Sequence, residues 1–362
     1  RRSSDLAYIR RKNPRLNRLR RFYPLIRGFS NVFLRDAATA MTINEIARSG
    51  PASYTTFIGY DEIAHHSGPD SFEAFHSLVG IDHSIQKIHR AIENHTERQY
   101  EMYVISDHGQ SFGKTFKQRY GISLGDHIRD LADDCEKTQA PSQVIGIGST
   151  SDNDSSIRAA LTTLSGQEQT QQIPLSGKPF ELLEETLEKE SDESKIPTVK
   201  EPNNIWVMVS GNLANIYFSF SDEKIEYQEL EEKYPNLCRR IIEHPGIGVM
   251  LRHEKGQVLA YGKYGSRNLT TGEIAGEDPL HNYGPEETRA TQLAYLSAFP
   301  EGGDLVLFST VYPDGTVASF EELIGSHGGM GGQQNDAFIF HPANVEIPNN
   351  IKNSSEVYNV LK

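Results

Sequence analysis

Apolar positions along the chain follow two periods, and each predicts its own kind of element. Over residues 72–95, Phe75, Leu78, Val79, Ile81, Ile85, Ile88 and Ile92 recur at three- and four-residue spacing, the mark of a long helix. Val32, Leu34, Ala38, Met41, Ile43 and Ile46 repeat that pattern over 31–49, and Gly50-Pro51 stops it. Further helices are expected over 121–133 and 227–243. Runs rich in β-branched and aromatic residues predict strands at 54–60, 100–106, 304–310 and 336–342. Residues 205–209 and 214–218 flank Ser210-Gly211-Asn212-Leu213 as a hairpin, and 249–251 pairs with 258–261. The order strand 54–60, helix 72–95, strand 100–106 is that of a parallel α/β sheet.

Composition divides the chain further. Residues 1–27 carry ten Arg or Lys against one acid, Asp5, and Pro14 and Pro24 break them into short pieces. They read as a solvated connecting segment, with proximity to an anionic membrane surface as the alternative. Residues 137–203 turn rich in Ser, Thr, Gln and Glu, the composition of a flexible acidic insertion, with one short helix at about 179–190. The expected organisation is a basic segment and helix (1–50), a first core part (51–136), the insertion (137–203), a smaller α/β accessory subdomain (204–285), a return to the core (286–345) and a tail (346–362).

Over the 362 residues the formal charge is -13, which argues against nucleic acid as a partner. Cys135 and Cys238, far apart in sequence, suggest neither a disulfide framework nor a thiolate zinc site. No apolar run reaches the roughly 18 residues of a membrane span, so a soluble domain is expected, with membrane association through a missing N-terminal region as the alternative. The chain opens on Arg1 and reads as an N-terminally truncated fragment.

Candidate chemistry gathers where predicted strands stop. One ends on Asp107-His108-Gly109, and another runs into Asp61-Glu62-Ile63-Ala64-His65-His66. His327 stands in Gly325-Ser326-His327-Gly328-Gly329-Met330-Gly331-Gly332, where the glycines let backbone approach closely. In open α/β sheets catalytic groups collect at the carboxyl ends of strands. Two carboxylates and three imidazoles form a mixed oxygen and nitrogen donor set. Such a set suits zinc, with manganese or iron as neighbours, better than magnesium or calcium. Five ligands are too many for one tetrahedral ion and short for two. His76, His83, His89 and His95 read as a solvated polar face of their helix, and His244, before Pro245, as a turn residue. Asn212 is a candidate substrate-binding or structural polar group.

The segments 60–69, 106–109 and 325–329, in this order and spacing, resemble the metal motifs of the alkaline phosphatase superfamily. The branch they resemble is the type I phosphodiesterase/nucleotide pyrophosphatase one. The resemblance implies an alkaline-phosphatase-like α/β fold with a mostly parallel sheet flanked by helices. It implies a hydrolase of phosphoric esters acting on a phosphodiester or nucleotide through two zinc ions. Asp61, His65 and His327 would hold one ion, and Asp107 and His108 the other. In the family the second ion is completed by an upstream Asp and by the Ser or Thr nucleophile. Asp36 and Thr39 fall inside a helical pattern and are poor substitutes, so the nucleophile is expected outside this fragment, which would itself be inactive. The alternatives are a catalytically inactive domain serving as a metal-binding or interaction module, or a sulfatase or phosphoglycerate mutase relative.

Overall fold

A computed structural model describes residues 14, 28–95, 97–135, 144–148, 205–349 and 351–361, with backbone alone at 29, 30 and 144–148. The basic segment 1–27, apart from Pro14, and the helix expected at 179–190 lie outside the described residues. The chain divides into two compact units, Arg1–Met102 with Thr150–Val199, and Tyr103–Ser149 with Lys200–Lys362.

The first unit is helical in its described part. A π-helical turn, Phe29–Leu34, runs into helix α1 (Arg35–Ala47), which stops before Gly50-Pro51 as its sequence requires. Helices α2 (Gly59–Ser67) and α3 (Phe72–Asn94) follow. The Ser71 hydroxyl caps α3 by accepting the Ala74 N–H at 3.1 Å. Ile63, Ala64 and Ala74 pack together, with Tyr60 against them, where α2 meets α3. Ile88 of α3 is buried, whereas Phe72, Phe75, Leu78 and Val79 are exposed, so the apolar stripe read from the sequence is covered only in part.

The strand expected at 54–60 does not form. Residues 52–58 have no regular structure, and a helix begins at Gly59. β-Propensity reflects a fit to neighbouring strands more than an intrinsic preference, and the described part of this unit has no strand to pair with. Asp61 and His65 therefore share one face of α2, a turn apart.

The second unit is built on an eight-stranded sheet. It opens with β1 (Val104–Ile105), β2 (Ser111–Phe112), helices α4 (Phe116–Tyr120) and α5 (Leu124–Cys135), and β3 (Val144–Gly148). The hairpin of β4 (Ile205–Ser210) and β5 (Leu213–Phe218) forms as its pattern predicts. The single helix expected over 227–243 is two, α6 (Tyr227–Lys233) and α7 (Leu237–Glu243), because Pro235 and Asn236, the latter at φ 63°, break it. Strands β6 (Ile247–Glu254), β7 (Gln257–Gly262), β8 (Gly265–Asn268) and β9 (Ile274–Gly276) follow. Helix α8 (Glu286–Ser297), β10 (Leu305–Ser309), β11 (Gly325–Ser326), β12 (Ile339–Phe340) and helix α9 (Ser354–Leu361) complete the unit.

The sheet order is β3-β4-β5-β10-β6-β7-β8-β9. The architecture is mixed α/β, but the sheet is not the mostly parallel one expected. Among the described residues β3–β4 is its parallel pair, and its other neighbours run antiparallel. The hairpins at β4–β5 and β6–β7 impose that direction, since a short turn can join only antiparallel strands. β3 lies inside the stretch whose composition suggested a flexible insertion; two of its five residues are glycine, which hides a strand from propensity. β10 sits between β5 and β6, so the strands of 204–285 and the later 304–310 strand form one sheet.

β10 shows why this sheet is the core. Its Leu305 and Leu307 join the apolar cluster of one face, with Phe116, Leu124, Ile128 and Ile241. Its Val306 and Phe308 join the other, with Leu293 and Tyr283. A strand covered on both faces reads as a continuous apolar run, as Leu305–Ser309 does.

His244 has the turn role its sequence suggests, accepting the Gly246 N–H on Nδ1 at 3.1 Å. Its ring lies among Phe116, Tyr120 and His127. Burial foremost, then His127, pushes its pKa down to about 4. His127 is lowered in the same way, by burial foremost, with Asp130 opposing and Arg240 assisting. An unfolded histidine titrates near 6.5. Between that pH and about 4 the unfolded chain binds a proton that folded His244 does not, so stability is full above pH 6.5 and falls as the pH drops toward 4. Thermal melts should show a lower Tm at pH 5 than at pH 7, with a smaller difference in His244→Gln. Equal differences in the two proteins would contradict this.

Candidate metal centre

Each unit places part of the predicted ligand set. In the first, α2 brings Asp61 Oδ2 within 3.2 Å of His65 Nε2. His65 is almost fully buried and Asp61 about three-quarters so. One position along, Glu62 Oε1 lies 3.4 Å from His66 Nε2, again buried. The Tyr60 phenol is pushed up, by burial foremost and then by the charges of Asp70 and Asp61.

The Thr39 hydroxyl is buried in α1 and donates to the Arg35 carbonyl at 2.7 Å, while Asp36 accepts from the Arg35 guanidinium at 3.0 Å.

In the second unit two short antiparallel pairings bring distant segments together. Val104–Ile105 pairs with Ile339–Phe340, and Ser111–Phe112 with Gly325–Ser326. Between and beyond these clamps, the rings of His108 and His327 stack with centroids 3.6 Å apart and planes 23° from parallel. His108 Nδ1 lies 2.9 Å from the Gly109 carbonyl oxygen. A carbonyl can only accept, so Nδ1 is the donor in this contact, and in the neutral ring Nε2 is then the ligand atom. Asp107 is largely exposed and has Oδ2 3.7 Å from His108 Nε2.

Glycine is required at two points of this arrangement. A Cβ on Gly109 would stand 2.2 Å from the Gln333 carbonyl oxygen and 2.7 Å from that of Asp336. Gly211, at φ 56° in the β4–β5 turn, passes so close to the His327 carbonyl that a Cβ would lie 1.9 Å from it.

Asn212 is fully buried beneath the glycine loop. Its Nδ2 donates to the Met330 carbonyl at 2.9 Å, and its Oδ1 accepts from Gln334 Nε2 at 3.1 Å. Its amide thus holds the loop that carries His327. The sequence reading missed Ser111 and Gln334, both buried beside it. Ser111 donates to the Gly331 carbonyl at 2.8 Å and accepts the Gln334 N–H at 3.1 Å. Gln334 stands in the polar run Gln333-Gln334-Asn335-Asp336, where nothing in the sequence sets it apart from its neighbours. His76, His83 and His89 of α3 are exposed.

The donor chemistry fits a divalent cation. A carboxylate and an imidazole stand together on α2, and two imidazoles meet at the glycine loop, one of them with its nitrogen roles fixed.

The sequence model of the type I phosphodiesterase / nucleotide pyrophosphatase family, part of the alkaline phosphatase superfamily, matches residues 19–198. That stretch contains Asp61, His65, Asp107 and His108 and ends before His327. No curated protein and no solved structure matches the chain.

Gly109→Ala should cost on the order of 1–3 kcal/mol of stability, because the new methyl group meets backbone on two sides. Urea denaturation measures this; a variant as stable as the parent would mean that the segment is loosely held.

Proposed function

The chain belongs to the type I phosphodiesterase / nucleotide pyrophosphatase family, and on that premise we propose that it carries the metal-binding part of a phosphoric-ester hydrolase acting on a phosphodiester or nucleotide. The observation that carries the reading is the stack of His108 on His327, two imidazoles from segments remote in sequence meeting where the family resemblance expects ligands. Asp61, His65, Asp107, His108 and His327 are the proposed ligands.

Their chemistry suits zinc best, with manganese as the alternative. Bound divalent ions would supply Lewis-acid neutralisation of the charge on a phosphoryl group. The chain's own residues prepare for this. Gly109 holds the proton of His108 on Nδ1 and so leaves Nε2 free to coordinate. Burial of His65 keeps water from competing for its ring, and Asp61 lies where its carboxylate and that imidazole can act together. The glycines after His327 let its loop pack closely on the sheet end: a Cβ on Gly329 would stand 2.1 Å from Asn212 Oδ1, and one on Gly332 2.5 Å from Ser111 Oγ. Substrate choice within the class is set by loops, which the ligand motifs do not encode.

The fold leaves no membrane-spanning helix among the described residues. Contact with an anionic membrane surface through residues 1–27 is part of the proposal only as a consequence of their charge.

Asp61→Ala and His327→Ala should each abolish hydrolysis of bis(p-nitrophenyl) phosphate by the natural protein and lower its zinc content while leaving its Tm within a few degrees. Unchanged turnover in either variant would refute the assignment. Removal of metal with a chelator should stop turnover, and added zinc should restore it.

A further inference from the structure

Gln334 has a place that neither the ligand motifs nor the family match accounts for. It is 1% exposed, and every polar part of it is used. Its Nε2 donates to Asn212 Oδ1 at 3.1 Å and to the Gly331 carbonyl at 2.7 Å. Its Oε1 accepts the Gly329 N–H at 3.0 Å. Its backbone N–H donates to Ser111 Oγ at 3.1 Å, and its carbonyl accepts the Gly109 N–H at 2.9 Å. One residue thereby ties three segments: the tip of the β4–β5 hairpin, the loop that carries His327, and the strand end that carries His108.

Both imidazoles are downstream of these bonds. His108 takes its orientation from the Gly109 carbonyl, and the Gly109 N–H is held by Gln334. His327 lies two residues before Gly329, whose N–H is fixed by the Gln334 side chain. Glycine-rich backbone has little stiffness of its own, so a loop of this composition keeps one shape only where such bonds fix it.

We propose that Gln334 is a positioning residue: its side-chain amide fixes the glycine loop so that the His327 ring stacks on that of His108, which holds both rings at the places the proposed ligand set gives them. The proposal rests on the reading of His108 and His327 as metal ligands. Gln334 touches neither ring and acts through Gly329, Gly331 and Asn212. Partners of metal ligands typically change affinity ten- to a hundredfold when removed.

The test uses the 362-residue chain and Co2+ alone, titrated by its visible absorption, together with NMR of the histidine ring protons in metal-free protein. Gln334→Met keeps the length and removes the hydrogen bonds. It should weaken Co2+ binding ten- to a hundredfold and move the His108 and His327 ring signals from their stacked positions toward those of isolated imidazoles. Should this variant fail to fold, Gln334→Glu keeps the size and the acceptor for Gly329, replaces two donated bonds with oxygen–oxygen contacts, and should give the same two changes. A folded Gln334 variant with parental Co2+ affinity and unmoved ring signals overturns the proposal. In that case His327→Ala, which must still lose Co2+, leaves the functional reading standing. If the unaltered chain binds no Co2+ at all, the functional reading falls and this proposal falls with it.

Discussion

The second unit depends on satisfying buried polar groups at a point where two unrelated segments meet. Neither Ser111–Phe112 nor Gly325–Ser326 is long enough to hold itself in a sheet, and each pairs with the other over two residues. What secures them is the amide network beneath: Asn212, Gln334 and Ser111 are all nearly inaccessible, and each bonds to backbone of the glycine loop or to one another. A buried amide left unpaired costs about 1–3 kcal/mol, so the network persists only if complete, and completing it leaves the loop one conformation. The ring stack of His108 and His327 follows from that conformation.

The hairpin tip supplies the rest of the support. Gly211 donates its N–H to the buried Glu321 carboxylate, and its carbonyl accepts from Ser319 Oγ at 3.0 Å and from the Phe320 N–H at 2.8 Å. The eight-stranded sheet, apolar on both faces, is the rigid body from which this tip projects. A site held by polar bonds on a scaffold held by apolar packing separates the two tasks. Stability comes mostly from the sheet, while ligand geometry comes from a few bonds at its end.

Much of this was legible in the sequence. Strong apolar periodicity placed α3, and the polar turn between two β-rich runs placed the β4–β5 hairpin. The residues Asp61, His65, Asp107, His108 and His327 stood out because acids and imidazoles punctuate runs that are otherwise apolar or glycine-rich. Strand direction was not legible. The 54–60 run has the composition of a strand but no partner, and the antiparallel order of the main sheet follows from hairpins rather than from the helix crossovers the pattern suggested. Nor did composition show that β3 lies within a polar stretch or that a Pro-Asn pair splits 227–243. Gln334 and Ser111 escaped notice because their importance lies in four hydrogen bonds that join sequence-distant segments, Gln334 to Asn212, Gly109 and Ser111, and Ser111 to Gly331, for which no local pattern exists.

The central claim is that the named acids and imidazoles bind a divalent metal. X-ray absorption at the metal edge of the purified protein tests it most directly, since it reports the donor atoms themselves. The account predicts a divalent ion, zinc first, with a shell of oxygen and nitrogen donors that includes the outer-shell scattering of imidazole rings. A protein that purifies without stoichiometric metal and takes none up, or a shell free of imidazole, would contradict it.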